Sequence, residues 1–342
     1  MRTDSLSSKV LSALNAKKGE YVSGQELADS LNVTRAAVWK TIKKLREDGV
    51  EIVGAPNKGY SLSPDADVLD AESIRAKLDS ESNAFYREIV CKKETGSTNT
   101  DLKGQSSSFQ GEGLVLVAER QTAGRGRFGR SFFSPQGSGV YFSVLLRPKF
   151  DAADVGVLTS AAAVAGARAC EIINPRLEQG QVKIKWVNDL YLNDKKICGI
   201  LTEGAASSLE TGKLDYCVLG VGFNLYVDPA RTPDELKKTV GGIFAKRPKA
   251  GTRAALVAAF LNEFYSFHSQ ASSRDVLNEY RARQALVGER IAVASPMFES
   301  KNVRYATAVG VDDSFRLLVS YEDDPDSIVP LNSGEVRASK AP

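Results

Sequence analysis

Near the N-terminus the apolar positions fall three and four apart. Val10, Leu11 and Leu14 predict a short helix over residues 8–15, and Leu27, Ala28 and Leu31 a second over residues 25–31. Ser23 stands three residues before Glu26, the spacing of a capping box at the start of that second helix. After Asn32 and Val33, Thr34 can cap a third helix over residues 35–47, with Val38, Ile42 and Leu45 on its apolar side and Arg35, Lys40, Lys43 and Lys44 elsewhere. Residues 50–53 and 60–62 then flank Gly54-Ala-Pro-Asn-Lys-Gly59, which predicts a β-hairpin with Lys58 at its tip. Two helices joined by a short turn, the second basic, and a hairpin after them form a winged helix-turn-helix, with the third helix as the recognition helix.

Beyond an acidic, polar stretch at residues 64–70, which reads as a linker, the pattern becomes mixed. Apolar runs at 114–118, 140–145, 182–186 and 216–221 predict strands, and periodic runs at 155–173, 253–268 and 275–284 predict helices. The Ala-rich segment 161–169 is too short for a membrane span and contains Arg168, so it reads as a buried core helix. From residue 287 short alternating strands at 291–293, 306–311, 316–319 and 327–330, separated by Asp-rich turns, predict a small β-barrel. The chain therefore reads as an α+β multidomain protein with modules at residues 1–64, 70–284 and 285–342.

Composition narrows the classes. The 342 residues are 42% hydrophobic and 25% charged, an ordinary globular balance that excludes a disordered or fibrous chain. Residues 1–10 hold Arg2, Asp4 and Lys9 and no sustained apolar run, so neither a secretory signal nor a membrane anchor is expected and a cytoplasmic location is. Cys91, Cys170, Cys198 and Cys217 have no Cys-x-x-Cys spacing and the one histidine is His268, which argues against a zinc cluster or a disulfide framework and gives no metal assignment. His268 lies among aromatic residues and reads as structural, which leaves no histidine for a catalytic pair. The net charge is +3, and residues 1–64 carry ten Lys and Arg against seven Asp and Glu, so the whole excess sits in the helix-turn-helix module. A polyanion partner is expected there, and Thr34, Arg35, Lys40, Lys43, Lys44 and Lys58 are its candidate DNA contacts.

Two tracts in the body carry candidate chemistry. In Gln121-Thr-Ala-Gly124-Arg125-Gly126-Arg127-Phe128-Gly129-Arg130, glycines allow close backbone approach and leave the loop mobile, while the arginine forks match phosphate or carboxylate oxygens. The tract lacks the Gly-Lys-Ser/Thr ending of a P-loop. In Lys183-Ile-Lys185-Trp-Val-Asn188-Asp189-Leu-Tyr-Leu, alternation places Lys183 and Lys185 on one face of a strand, and Asn193-Asp194 turns it into the next. A lysine followed by a bulky Trp and an Asn-Asp pair fits a cleft better than a solvated face.

Four motifs stand in register: Gly96-Ser97-Thr98-Asn99, the Gln121 to Arg130 loop, Lys185-Trp-x-Asn188-Asp189-Leu, and Gly220-Val-Gly222-Phe-Asn224-Leu. In that order, behind a winged helix, they resemble the biotin protein ligases that double as biotin-operon repressors, and the resemblance covers nearly the whole chain. It implies a central domain like class II aminoacyl-tRNA synthetases and a C-terminal SH3-like β-barrel. It implies ATP and Mg²⁺ as cofactors, biotin as substrate, and biotin carboxyl carrier protein, operator DNA and a second copy of the chain in an adenylate-bound homodimer as partners, with no membrane. Ser97, Thr98, Asn99, Gln121, Arg125, Gly126, Arg127 and Lys185 would hold biotin, Asn224 and Arg130 the nucleotide, and Lys185, Arg127 and Arg125 the developing charge. The chain departs from the family in Val187, where proline is usual and valine suits a strand, and in Gly334-Glu335-Val336-Arg337, where the last residue is usually serine. Two other readings stay open: a lipoate ligase of the same fold, and a transcription regulator whose ligase site serves only as a sensor.

Overall fold

The computed structural model describes residues 6–47, 50–64, 66–147, 155–206, 214–269, 273–294, 303–332 and 335–338. They fall into two units, Met1–Lys77 with Pro248–Ala255, and Leu78–Arg247 with Leu256–Pro342.

The first unit holds α1 (Leu6–Ala16), α2 (Gly24–Leu31), α3 (Arg35–Glu47), β1 (Ile52–Ala55), β2 (Gly59–Leu62) and α4 (Ala71–Arg75). Val10 and Leu14 of α1, Leu27 of α2, Val38, Ile42 and Leu45 of α3, Ile52 and Leu62 share one core. The Ser23 hydroxyl accepts from the Glu26 N–H at 3.0 Å and the Thr34 hydroxyl from the Ala37 N–H at 3.2 Å, caps worth about 1 kcal/mol each. The Glu26 carboxylate pairs chiefly with the Lys17 ammonium at 2.5 Å, and with a weaker backbone hydrogen-bond contribution from Ser23 this holds it below the ordinary carboxylate value. Asn32 closes α2 in the left-handed region, at φ 52° and ψ 51°, which sets the turn into α3. Strands β1 and β2 pair antiparallel from Ile52↔Leu62 to Ala55↔Gly59. Gly59, at φ 103°, has no room for a side chain: a Cβ would lie 2.1 Å from the Val22 carbonyl. The stretch after residue 65 is packed, not an exposed linker: Ala66, Val68 and Leu69 are buried, and Asp67 takes the Arg253 guanidinium at 2.6 Å. Apolar residues between the acids, overlooked in the charge pattern, explain the difference.

The second unit runs through α5 (Ser80–Phe85), β3 (Glu88–Thr95), α6 (Thr98–Gln105), β4 (Leu114–Gln121), β5 (Gly139–Leu146), α7 (Val155–Ile173), β6 (Lys183–Lys185), β7 (Asp189–Leu192), β8 (Lys195–Ala206), β9 (Leu214–Asn224), α8 (Asp234–Lys237), α9 (Thr252–Ser269, whose start belongs to the first unit) and α10 (Ser273–Ala282). Seven strands form one sheet in the order β3-β4-β5-β9-β8-β7-β6, with β3 and β4 parallel and every other neighbouring pair antiparallel. Helix α7 is 19 residues long, so the segment is not too short to cross a bilayer, by length and composition alone. Two-thirds of its apolar window is buried inside the fold, and Arg168 pairs with Glu263 and Glu279, so it is a core helix. The strand expected over residues 182–186 is β6, but the Asn193-Asp194 turn expected to link it to the next strand instead joins β7 to β8, and β6 pairs antiparallel with β7, Lys183↔Tyr191 and Lys185↔Asp189 in register. Val187 lies in the connection between them, not in a strand, and its peptide bond to Trp186 is cis. His268 is stacked 6.2 Å from Phe264 and lies beside Phe85, the structural position expected of it.

Strands β10 (Arg290–Ala294), β11 (Val303–Val311), β12 (Leu317–Tyr321), β13 (Asp324–Leu331) and β14 (Glu335–Ala338) follow. They make an antiparallel sheet in the order β13-β12-β11-β10-β14. This is an open sheet: among the described residues nothing pairs β13 with β14, so the expected barrel is not closed. The fifth strand β14 had no alternation long enough to foresee. Of the departing Gly334-Glu335-Val336-Arg337 segment, Gly334 lies outside the described residues.

Candidate active site

Parallel pairing of β3 and β4 brings Thr95 opposite Gln121, so the chain following β3 and the end of β4 meet at one level. Ser97 is the N-cap of α6, and Thr98 and Asn99 occupy its first turn. Gln121 Oε1 accepts from the Thr98 N–H at 2.9 Å and lies 3.1 Å from the Thr98 hydroxyl, while Nε2 donates to Ser134 at 3.1 Å. Beneath them the fully buried Ser143 of β5 donates to Asn99 Oδ1 at 2.6 Å. Asn99 Nδ2 in turn donates to Glu203 at 2.8 Å. Both ends of the Asn99 amide are therefore fixed, and Gly220 on β9 leaves it the space: a Cβ there would stand 2.1 Å from Asn99 Oδ1.

Glu203 also pairs with Lys103 at 2.5 Å and with Arg125 at 3.4 Å. Burial pushes its carboxyl up, but hydrogen bonds from Lys103 and Asn99 and the charges of Lys103 and Arg125 outweigh that and hold it below the ordinary carboxylate value. It stays ionised at neutral pH, and this anchoring is lost only as acid protonates it.

The glycine-arginine loop is a hydrogen-bonded turn. The Gly126 N–H donates to the Arg130 carbonyl at 2.7 Å, and the Phe132 N–H to the Gly124 carbonyl at 2.8 Å. Arg127 lies 4.8 Å over the Phe128 ring and donates to Asn188 Oδ1 at 3.3 Å. Burial pulls its guanidinium below the ordinary value, opposed by the charge of Asp189, yet arginine remains cationic. Across the space Lys185 ends β6, its ammonium 5.7 Å from the Tyr191 ring centre, and Lys196 of β8 pairs with Asp189 at 2.8 Å.

One cleft of about 510 Å³ opens between them. It brings together Ser97, Thr98, Asn99, Gln121, Arg125, Gly126, Arg127, Arg130 and Lys185. Asn224 does not line it: it lies two residues beyond the lining Gly222, with its side-chain amide 3.5 Å from the Lys196 carbonyl. Sequence reasoning missed Lys196, whose only local signal was a lysine pair following the Asn193-Asp194 turn and preceding Gly199. It also gave no role to Val336 of β14, which lies in the Gly334-Glu335-Val336-Arg337 segment and reaches the cleft from the C-terminal sheet. Asp189 is the one carboxylate in the lining, and among the described residues no group of three metal-ligating side chains exists. The described residues thus build no cage of protein ligands for a metal ion.

In the first unit Thr34 caps α3, and Arg35, Lys40, Lys43 and Lys44 are exposed on that helix. Lys58 at the hairpin tip is exposed over the Tyr21 ring at 5.9 Å.

The α/β body with this cleft, preceded by a helix-turn-helix, defines a class. The Biotin/lipoate A/B protein ligase family matches residues 92–224, and an HTH domain matches residues 7–61. The chain is 32% identical over 307 residues to the bifunctional ligase/repressor BirA of Bacillus subtilis (strain 168), covering 88% of this chain and 89% of that protein. To the protein of the same name from Escherichia coli (strain K12) it is 38% identical over 208 residues, 60% of each. The solved biotin protein ligase of Aquifex aeolicus in complex with biotin and ATP shares the fold, with TM-score 0.58 and 24% identity over 74% of this chain and 100% of that one. The chain belongs to the biotin protein ligase family, in its bifunctional ligase/repressor branch.

Proposed function

We propose that the cleft joins the carboxylate of biotin to the α-phosphate of ATP, releasing pyrophosphate and forming biotinyl-5′-AMP. The biotinyl group then passes to the amine of one lysine on biotin carboxyl carrier protein, with AMP as leaving group. One observation carries this reading: a floor of uncharged donors and acceptors and a rim of cations meet in a single cleft. The floor, from Ser97, Thr98, Asn99 and Gln121, suits a neutral ureido ring, and its hydrogen bonds hold it oriented before the ring arrives. Arg125, Arg127, Lys185 and Lys196 offset the repulsion between a carboxylate and a phosphate brought into contact. Arg130 and Asn224 are assigned to the nucleotide. Among the described residues only Asp189 in the cleft lining is a carboxylate that would meet Mg²⁺, and the ion would supply further positive charge to offset the phosphates.

The first unit is assigned to operator DNA of biotin-synthesis genes, with α3 in the major groove, Lys58 on the backbone and a homodimer of adenylate-bound chains as the binding form. The central body is assigned to the class II synthetase-like architecture, the C-terminal sheet to an SH3-like module, and the modules to residues 1–64, 70–284 and 285–342. A cytoplasmic location follows from these partners.

Replacing Lys185 by Ala is expected to slow adenylate formation by about a hundredfold, the cost of one preorganised charge stabiliser. Single-turnover formation of biotinyl-5′-AMP measures it, and mass spectrometry of the carrier lysine measures the transfer. A near-normal rate would return Lys185 to a solvated face.

A further inference from the structure

Lys185 ends β6 and Asn188 precedes β7, so both hang on the short connection 186–188. That connection is held from outside the cleft. The buried Trp186 indole donates to the Phe315 carbonyl at 3.0 Å, and the Val187 carbonyl accepts from the Tyr280 hydroxyl at 3.2 Å. The Phe315 and Tyr280 rings meet edge-on, 5.4 Å apart at 75°. Tyr280 belongs to α10, and Phe315 to the turn 312–316 between β11 and β12 of the C-terminal sheet, so the contacts close a ring through three separate elements.

The turn is itself built to present that carbonyl. Asp312 Oδ1 accepts from the Ser314 and Arg316 N–H groups at 2.9 Å each, and Oδ2 from Arg316 Nε at 2.6 Å. Phe315 sits at φ 60°, in the left-handed region that a phenylalanine seldom adopts. Arg281 of α10 clamps the turn through the Val311 carbonyl and Asp313, both at 2.8 Å. On the other side β6 is bonded to residues 283–285, the Ile184 N–H donating to the Arg283 carbonyl at 2.8 Å.

None of Asp312, Phe315 and Tyr280 lines the cleft, whereas Lys185, Trp186 and Asn188 do. We infer that the turn 312–316 of the C-terminal sheet is a positioning device, which with Tyr280 sets where the 186–188 connection presents Lys185 to the reacting groups. The physical ground is twofold. Buried carbonyls keep their donors because leaving one unpaired is costly, and a displacement near 1 Å of a charge-stabilising group is felt strongly in the rate. The C-terminal sheet thereby acts on the chemistry through Lys185 as well as walling the cleft with Val336. The inference rests on the reading of the cleft proposed above.

The test uses the full-length protein and single-turnover adenylate formation at saturating biotin and ATP, with thermal melting as a check on folding. Asp312→Ala and Tyr280→Phe are each expected to lower the rate roughly tenfold, and Asp312→Asn, which keeps an acceptor for the two backbone N–H groups, to restore most of it. In a Lys185→Ala background either substitution should change the rate less than twofold, because both act through the same ammonium. Wild-type rates for both single variants would overturn the inference, as would a full tenfold loss added on top of Lys185→Ala, which marks a general scaffold. A fast Lys185→Ala would defeat the role of Lys185 itself, and the inference with it. If Asp312→Ala fails to fold, Tyr280→Phe, which removes one oxygen atom, decides alone.

Discussion

Arg127→Gly is expected to keep forming biotinyl-5′-AMP but to release it, so that lysines on unrelated proteins become biotinylated. The substitution removes the hydrogen bond to Asn188, which ties the loop across the cleft, and the stacking on Phe128 within the loop. It also adds backbone freedom between Gly126 and Phe128, which favours an open loop. The mixed anhydride reacts with water and with any amine, so a loop that no longer closes ceases to be a barrier as well as a clamp. Mixing the variant with biotin, ATP and serum albumin and blotting for biotin gives the readout. Strong albumin labelling, absent with the unaltered protein, is the expected result. Background labelling while the adenylate is demonstrably made would move Arg127 to a purely structural role.

Operator binding is expected to collapse with salt. If recognition helices and hairpin tips together neutralise six to ten phosphates, affinity should fall by about 10³ to 10⁵ between 50 and 200 mM salt. Replacing Lys40, Lys43 and Lys44 together by Ala should weaken binding and reduce the slope of log K against log salt by about one unit for each lysine that meets a phosphate. These side chains are exposed on α3, so stability and biotinylation should be unchanged. A gel-shift series with biotin and ATP present measures the slopes. An unaltered slope in the triple variant would remove α3 from the DNA interface.

How legible these features were in the chain depended on how local their causes are. Helix α7 was readable from end to end, because a long apolar and Ala-rich run decides it without help from elsewhere. The caps at Ser23 and Thr34 were readable too, being bonds to a backbone N–H three residues away. The separate strand β7 between β6 and the Asn193-Asp194 turn was not, since alternation continues on both sides of Trp186. The contacts that hold the 186–188 connection come from Tyr280 and Phe315, far along the chain. In the cleft, the loop from Gln121 to Arg130 announced itself as a tract of unusual composition, whereas Ser97, Thr98 and Asn99 were pointed to only by the resemblance to the family. Ser143 and Glu203, which orient Asn99, are single polar residues inside strands and carry meaning only through strand pairing. Val336 reaches the cleft from a strand too short to show a pattern.

The central claim is that this cleft activates biotin with ATP. Exchange of labelled pyrophosphate into ATP by the purified protein tests it most directly, because exchange requires reversible formation of the acyl adenylate and nothing downstream. Exchange that depends on biotin and is absent with lipoate or octanoate is the predicted result. Equal exchange with lipoate, or none with biotin, would contradict the account.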